Sequence, residues 1–209
     1  MKETEKRMKY YNLSENIIAC NNFLPKKNVE ELYTDLLNNR NLFQLSTWND
    51  KIEFFSSKCG GLDFWISNKT IENSDSFIES LAYWFIHQGL HFYARNNASK
   101  VYEFLTRKLQ WNIHVISYNN GGYYNWHKDE KNNILFTFNL ILNKSNKLKG
   151  GNMLFMDNNK IYEVENKNNF MIVFPSYISH AITPLHTEDD KDVSFLEQRF
   201  SIQFWVSLQ

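Results

Sequence analysis

Three scarcities narrow the field before any motif is considered. Cysteine is the first: Cys20 and Cys59 are the only two, far apart and in no metal-knuckle spacing, so a thiolate zinc site is excluded. Two reduced thiols are the expectation. Net charge is the second, with 23 Lys plus Arg against 23 Asp plus Glu. A nucleic-acid binder usually leaves a net basic footprint. None shows, so nucleic acid is not an expected partner. Long apolar runs are the third. No stretch approaches the roughly 20 residues of a membrane helix. Met1 to Tyr11 is polar and charged, without the apolar centre of a signal peptide. The expectation is a soluble cytoplasmic protein with no membrane partner. Its oligomeric state is not legible. There is no internal repeat and no linker, so residues 1–209 read as one domain.

What is present is core material, with 43% hydrophobic and 16% aromatic residues. Residues 1–12 read as a charged leader and 16–24 as a short strand ending at Pro25. Residues 28–39 read as a helix, with Val29, Leu32, Tyr33, Leu36 and Leu37 on its apolar face and Glu30 and Glu31 in its first turn. The stretch 40–73 is aromatic but broken, and reads as short strands and loops. Helices are expected over 76–92, opened by a Ser76…Glu79 capping pattern, and over 101–109. From Trp111 the period switches to two. Strands are expected over 111–118, 134–142, 151–156, 160–165, 170–174, 180–185 and 200–208, with a hairpin turn at Asp157-Asn158-Asn159. A helical half followed by many short strands predicts a mainly β, α+β chain: a sandwich or jelly roll braced by N-terminal helices.

The chemistry gathers around Asn119-Asn120-Gly121-Gly122-Tyr123-Tyr124-Asn125-Trp126-His127-Lys128-Asp129. On an extended backbone, residues two apart share a face, so His127 and Asp129 can converge on one ion. His180 opens a strand 53 residues later and supplies a second imidazole. Two imidazoles and one carboxylate occupy one face of an octahedral ion and leave three positions open, the arrangement of non-haem Fe(II) oxygenases. His87 and His91 lack the glutamate of a zinc-protease helix and read as packed or solvated side chains. His114 reads as a core or surface residue. Along Arg199-Phe-Ser-Ile-Gln-Phe-Trp205, period two puts Arg199, Ser201, Gln203 and Trp205 on one face. Alone, Arg199 reads as a solvated edge residue. Behind a metal triad and between apolar neighbours, it reads as a carboxylate holder.

These residues carry a resemblance. Tyr118, Gly122 to Asp129, Thr137 to Asn143, Gly150 to Phe155, Pro175, His180 to Leu185 and Arg199-Phe-Ser201 with Trp205 are similar, in this order, to the Fe(II)/2-oxoglutarate-dependent dioxygenases, above all to the prolyl 4-hydroxylase-like branch. The resemblance implies a double-stranded β-helix (jelly-roll) core over 110–209, with 1–109 as mostly helical support. It implies Fe(II), 2-oxoglutarate as co-substrate and O2. His127, Asp129 and His180 would be the metal ligands, and Arg199 the partner of the distal co-substrate carboxylate. Tyr118 and Ser201 would bind the co-substrate, with Thr137 and Asn139 lining its pocket. Tyr124 and Trp126 would meet the substrate.

Two features depart from the branch: Arg199 stands where its members usually carry Lys, and an acidic stretch, 186–197, lengthens the connection from His180 to Arg199. The stretch reads as a solvated connection or a lid. The implied activity is hydroxylation of an unactivated C–H bond in a peptide or protein, prolyl residues included. The alternatives are a free amino acid or small biosynthetic intermediate as substrate, or a jelly-roll binding module without catalysis. With Asp129 in place, the halogenating variant is disfavoured. The arginine-rich C-terminal signature of DNA-alkylation repair is absent.

Overall fold

Short strands from residue 109 onward build a two-sheet sandwich, seen in a computed structural model of the chain that describes residues 8–45, 61–67, 109–130 and 133–208. The strands are β1 (Lys9–Asn12), β2 (Ile18–Asn21), β3 (Gln44–Leu45), β4 (Gly61–Ser67), β5 (Leu109–Tyr118), β6 (Tyr124–His127), β7 (Ile134–Leu142) and β8 (Lys149–Gly150). They continue with β9 (Met153–Asp157), β10 (Lys160–Val164), β11 (Phe170–Pro175), β12 (Ser179–Ile182), β13 (Leu185–His186) and β14 (Arg199–Leu208). A large sheet runs β1-β2-β11-β7-β14-β5-β4-β3 and a small one β10-β9-β12-β6, while β8 pairs with β13. Among the described residues every strand pairing is antiparallel, as a jelly roll requires.

The large sheet separates two cores. Its outer face packs Ile113, Val115, Phe138, Leu140, Phe200 and Ile202 with the helix α1 (Lys26–Asn38). Val29, Leu32, Tyr33 and Leu36 of α1 are buried, each contributing about 1.5–3 kcal/mol by leaving water. Its inner face packs Ile116, Tyr118, Ile141, Ile172 and Phe174 against Met153, Phe155 and Ile182 of the small sheet. The candidate site residues Tyr118, Thr137, Asn139, His180, Arg199 and Ser201 lie on this inner side.

Local chemistry explains the joints. Pro25 caps α1 at φ −55°, and Asn169 receives the Leu24 N–H on its amide oxygen while donating its amide to the Leu24 carbonyl. The hairpin of β9 and β10 turns at Asn158 and Asn159, both at positive φ (50° and 60°), the two-residue turn that asparagine tolerates.

Several expectations change. Residues 9–12, read as part of a leader, form the edge strand β1 paired with β2. The helix begins at Lys26, so Glu30 and Glu31 fall beyond its first turn, and Leu37 is exposed. β5 starts at Leu109, two residues earlier than the period indicated. The helices expected over 76–92 and 101–108, with His87, His91 and Cys59, lie outside the described residues. Among the described residues, no helix is long and apolar enough to cross a membrane.

Candidate metal centre

β6 and β12 are neighbours in the small sheet, and their register sets His127 directly opposite His180. Both side chains point inward, with ring centroids 4.1 Å apart. Asp129 follows β6 as the chain leaves the sheet, its N–H donating to the Ser176 carbonyl at 2.9 Å. The three residues form a group whose ligand atoms all lie within 4.8 Å of one another.

The hydrogen bonds prepare these atoms for a metal. Nδ1 of His127 lies 2.8 Å from the Asn125 carbonyl, and Nδ1 of His180 lies 3.1 Å from the Ile178 carbonyl. A carbonyl only accepts, so each Nδ1 carries the proton and each Nε2 presents a lone pair. The two Nε2 atoms stand 3.6 Å from Asp129 Oδ1 and Oδ2 respectively. That is too long for a hydrogen bond and leaves space between the carboxylate and the two ring nitrogens for an ion. His180 Nε2 is buried with no hydrogen-bond partner, an arrangement that costs free energy unless something else occupies the lone pair. Phe174 and Phe155 wall this ring, at 4.7 and 6.1 Å. The donor set fits a divalent first-row metal.

A second charged group lies in the same core. Arg199 is 0% exposed, and its Nη1 donates to Ser201 Oγ at 2.7 Å. Nε and Nη2 are buried with no hydrogen-bond partner. No carboxylate faces it among the described residues. Its guanidinium lies over the ring of Tyr118, 5.3 Å from the centroid and directly across the β14–β5 register. Burial pushes its pKa down to about 10, with Tyr118 acting in the opposite direction, so it remains a cation at neutral pH. The Nε and Nη2 donors form the edge of a guanidinium that grips a carboxylate by two parallel hydrogen bonds. Gly151, at φ 69°, makes room for this side chain: a Cβ there would sit 3.1 Å from Arg199 Cδ and 2.9 Å from Leu185 Cγ.

Comparison with known proteins agrees with this geometry. Residues 113–207 match the profile of the 2OG-Fe(II) oxygenase superfamily. Over these residues, just under half of the chain, the sequence is similar to a 2OG-Fe(II) oxygenase core. Fe(II), 2-oxoglutarate and O2 are the reactants this match implies, and the site is consistent with dioxygenase chemistry. Similar solved structures include a Pseudomonas putida prolyl-4-hydroxylase, with a TM-score of 0.65, 15% identity and 93% of each chain covered. A Trichoplax adhaerens prolyl hydroxylase, solved in complex with a hypoxia inducible factor peptide fragment, has a TM-score of 0.66 at 16% identity, covering 93% of this chain and 84% of its own. IDO from Bacillus thuringiensis gives 0.61 at 18% identity, with 93% and 90% covered. At these identities the likeness is one of fold. No curated protein matches the sequence.

The fold brings together most of the residues singled out from the sequence. Thr137, on β7, lies inside and donates its hydroxyl to Asp129 Oδ2 at 2.7 Å. Asn139, one rung along, is fully buried with its amide nitrogen 2.9 Å from Met153 Sδ and its oxygen without a partner. His114 is buried at 1% exposure, opposite Gln203, and its ring tilts against Trp205 at 5.4 Å. Tyr124 stacks on His127 with centroids 4.0 Å apart. Trp126 is not brought in: alternation turns it to the other side of β6, where it is 39% exposed.

One contact escaped the sequence reading. The Trp205 indole donates to Asp129 Oδ2 at 3.2 Å. Its shared face with Arg199 was the available signal. The acidic stretch 186–197 is also more tightly held than a lid. Asn120 Oδ1 accepts the Thr187 N–H, its amide donates to Asp190 Oδ1, and Asn119 both accepts from Val193 N and donates to the Val193 carbonyl.

Proposed function

We propose that this oxygenase hydroxylates an unactivated C–H bond of a peptidyl substrate, prolyl residues among the targets, with residues 1–209 acting as one domain. The observation that carries the co-substrate half of this reading is Arg199. A fully buried cation with two unpartnered donors is unfavourable unless an anion completes it. In this reading His127, Asp129 and His180 hold the iron. Arg199, with Ser201 fixing its Nη1, receives the distal carboxylate of 2-oxoglutarate. Tyr118 stacks beneath the guanidinium and keeps it aimed inward. Asn139, midway along the inner face, lines the pocket between anchor and metal, with its amide nitrogen held at Met153 Sδ. Bound there, Fe(II) and 2-oxoglutarate supply the activation of O2 that inserts a hydroxyl group. The aromatic and aliphatic walls around His180 exclude bulk water.

The peptidyl half rests on two supports. The Trichoplax neighbour, alike in fold over 93% of this chain, was solved with a peptide. Tyr124, half-buried against His127, offers an aromatic rim at the metal.

Anaerobic addition of Fe(II) and then 2-oxoglutarate tests the site. A weak visible charge-transfer band is expected from the wild type and none from His127→Ala or His180→Ala. A wild type without a band refutes the site. Mass spectrometry of proline-containing peptides against free amino acids, seeking one added oxygen atom, tests the substrate. Oxygen added only to the free amino acids overturns the peptidyl reading.

A further inference from the structure

A carboxylate that binds a metal has two oxygens, and the number that reach the ion decides how many positions stay open. The facial arrangement leaves three positions only when its carboxylate occupies one. The environment of Asp129 is sharply unequal in this respect. Oδ2 accepts two hydrogen bonds, from Thr137 Oγ1 at 2.7 Å and Trp205 Nε1 at 3.2 Å. Oδ1 accepts none.

The two donors come from different strands. Thr137 lies on β7 and Trp205 on β14, and they are direct partners in the register of the large sheet. Their side chains therefore leave the sheet side by side on the inner face. The ligands they serve come from the small sheet and the turn after it. We propose that Thr137 and Trp205 are positioning residues that together clamp Oδ2 and leave Oδ1 alone to face the metal. The inference rests on Asp129 being a ligand, and goes beyond that reading by saying what sets its mode of binding.

The physical reason is competition for lone pairs. A carboxylate oxygen has two principal acceptor directions, and on Oδ2 a hydroxyl and an indole use both. Rotating the group to present both oxygens to one ion would break at least one of these bonds, in a site with little water to replace it. Asp129 is 6% exposed and Thr137 0% exposed. Thr137 is thereby assigned to the carboxylate itself, whereas the sequence reading had placed it in the co-substrate pocket. β14 then serves both ends of the site, since Arg199 and Ser201 lie on the same face as Trp205.

The test uses Co(II), added anaerobically to the full-length chain as a spectroscopic probe in place of iron. Thr137→Val and Trp205→Phe each remove one donor and retain most of the volume. Each is expected to weaken Co(II) about tenfold, and the double variant up to a hundredfold, in the range that outer-sphere partners of metal ligands command. The visible Co(II) spectrum of the double variant is expected to change in intensity, because that intensity follows coordination number. Thr137→Ser, which keeps the hydroxyl, should bind and absorb as the wild type does. Thermal midpoints without metal identify a variant that has merely misfolded, and Trp205→Phe decides the question if Thr137→Val fails to fold. Wild-type affinity and spectrum in Trp205→Phe and in the double variant would overturn the clamp. Failure of the wild type to bind Co(II), or binding that survives Asp129→Ala unchanged, would instead overturn Asp129 as a ligand.

Discussion

The two faces of the large sheet are equally buried and differently composed. On the outer face, Ile113, Val115, Phe138, Leu140, Phe200, Ile202 and Val206 present only hydrocarbon to α1 and its surroundings. On the inner face the same strands present Thr137, Asn139, Ser201, Gln203 and Arg199, all at 3% exposure or less. Burial alone does not explain the inner set. A polar group taken out of water costs free energy unless it is paired, and Arg199 and Asn139 retain unpartnered atoms. The outer face is built for stability, and the inner one carries a cost that function explains.

Substitutions on the two faces sharpen this contrast, and four are ordered here by expected size. Phe138→Ala on the outer face should cost about 3–5 kcal/mol of stability in denaturant melts, as large-to-small core changes do. Arg199→Leu on the inner face should do the reverse. It should weaken 2-oxoglutarate at least about a hundredfold by titration, since two charge-assisted hydrogen bonds are lost. The thermal midpoint without co-substrate should hold or rise, because an unpaired buried charge has gone. A large drop in that midpoint would erase the distinction between the faces.

Gly151→Ala should fall between the two, losing about 1–2 kcal/mol of stability through its left-handed backbone. The new Cβ would also press on Arg199 Cδ, so the affinity for 2-oxoglutarate should fall while metal affinity stays level. Trp126→Ala should have the smallest effect, within about 0.5 kcal/mol in stability. Metal and co-substrate titrations should match the wild type, because Trp126 faces away from the core. Any effect on turnover should therefore appear as a raised substrate KM.

Much of the inner face was legible because strand parity is a local property. Arg199, Ser201, Gln203 and Trp205 on one face follow from period two alone, whereas Asp129 lies past the end of β6 and meets His127 through the turn that follows the strand. The Asn158-Asn159 turn was legible for the same reason, since its backbone demands specific residue types. Register between strands is not local. Nothing in the sequence near Trp205 says that it pairs with Thr137 or reaches Asp129, and the clamp on the carboxylate emerged only from the sheet. β1 was missed because Lys9, Tyr10, Tyr11 and Asn12 are exposed on both sides of an edge strand, which leaves no alternation to read. Leu37 was misplaced because an apolar residue beside a helix's buried stripe need not be covered.

The Asn119–Asn120 turn makes the long acidic connection a tether. Chain length between His180 and Arg199 would ordinarily be slack, free to grow or shrink among relatives. Here Thr187, Asp190 and Val193 are tied to the turn that delivers β6. Shortening the connection would strip two half-buried asparagines of their partners and loosen the approach to His127, although no ligand would have changed. Length differences in this stretch should therefore travel with changes at positions 119 and 120, two segments far apart in sequence but mechanically one.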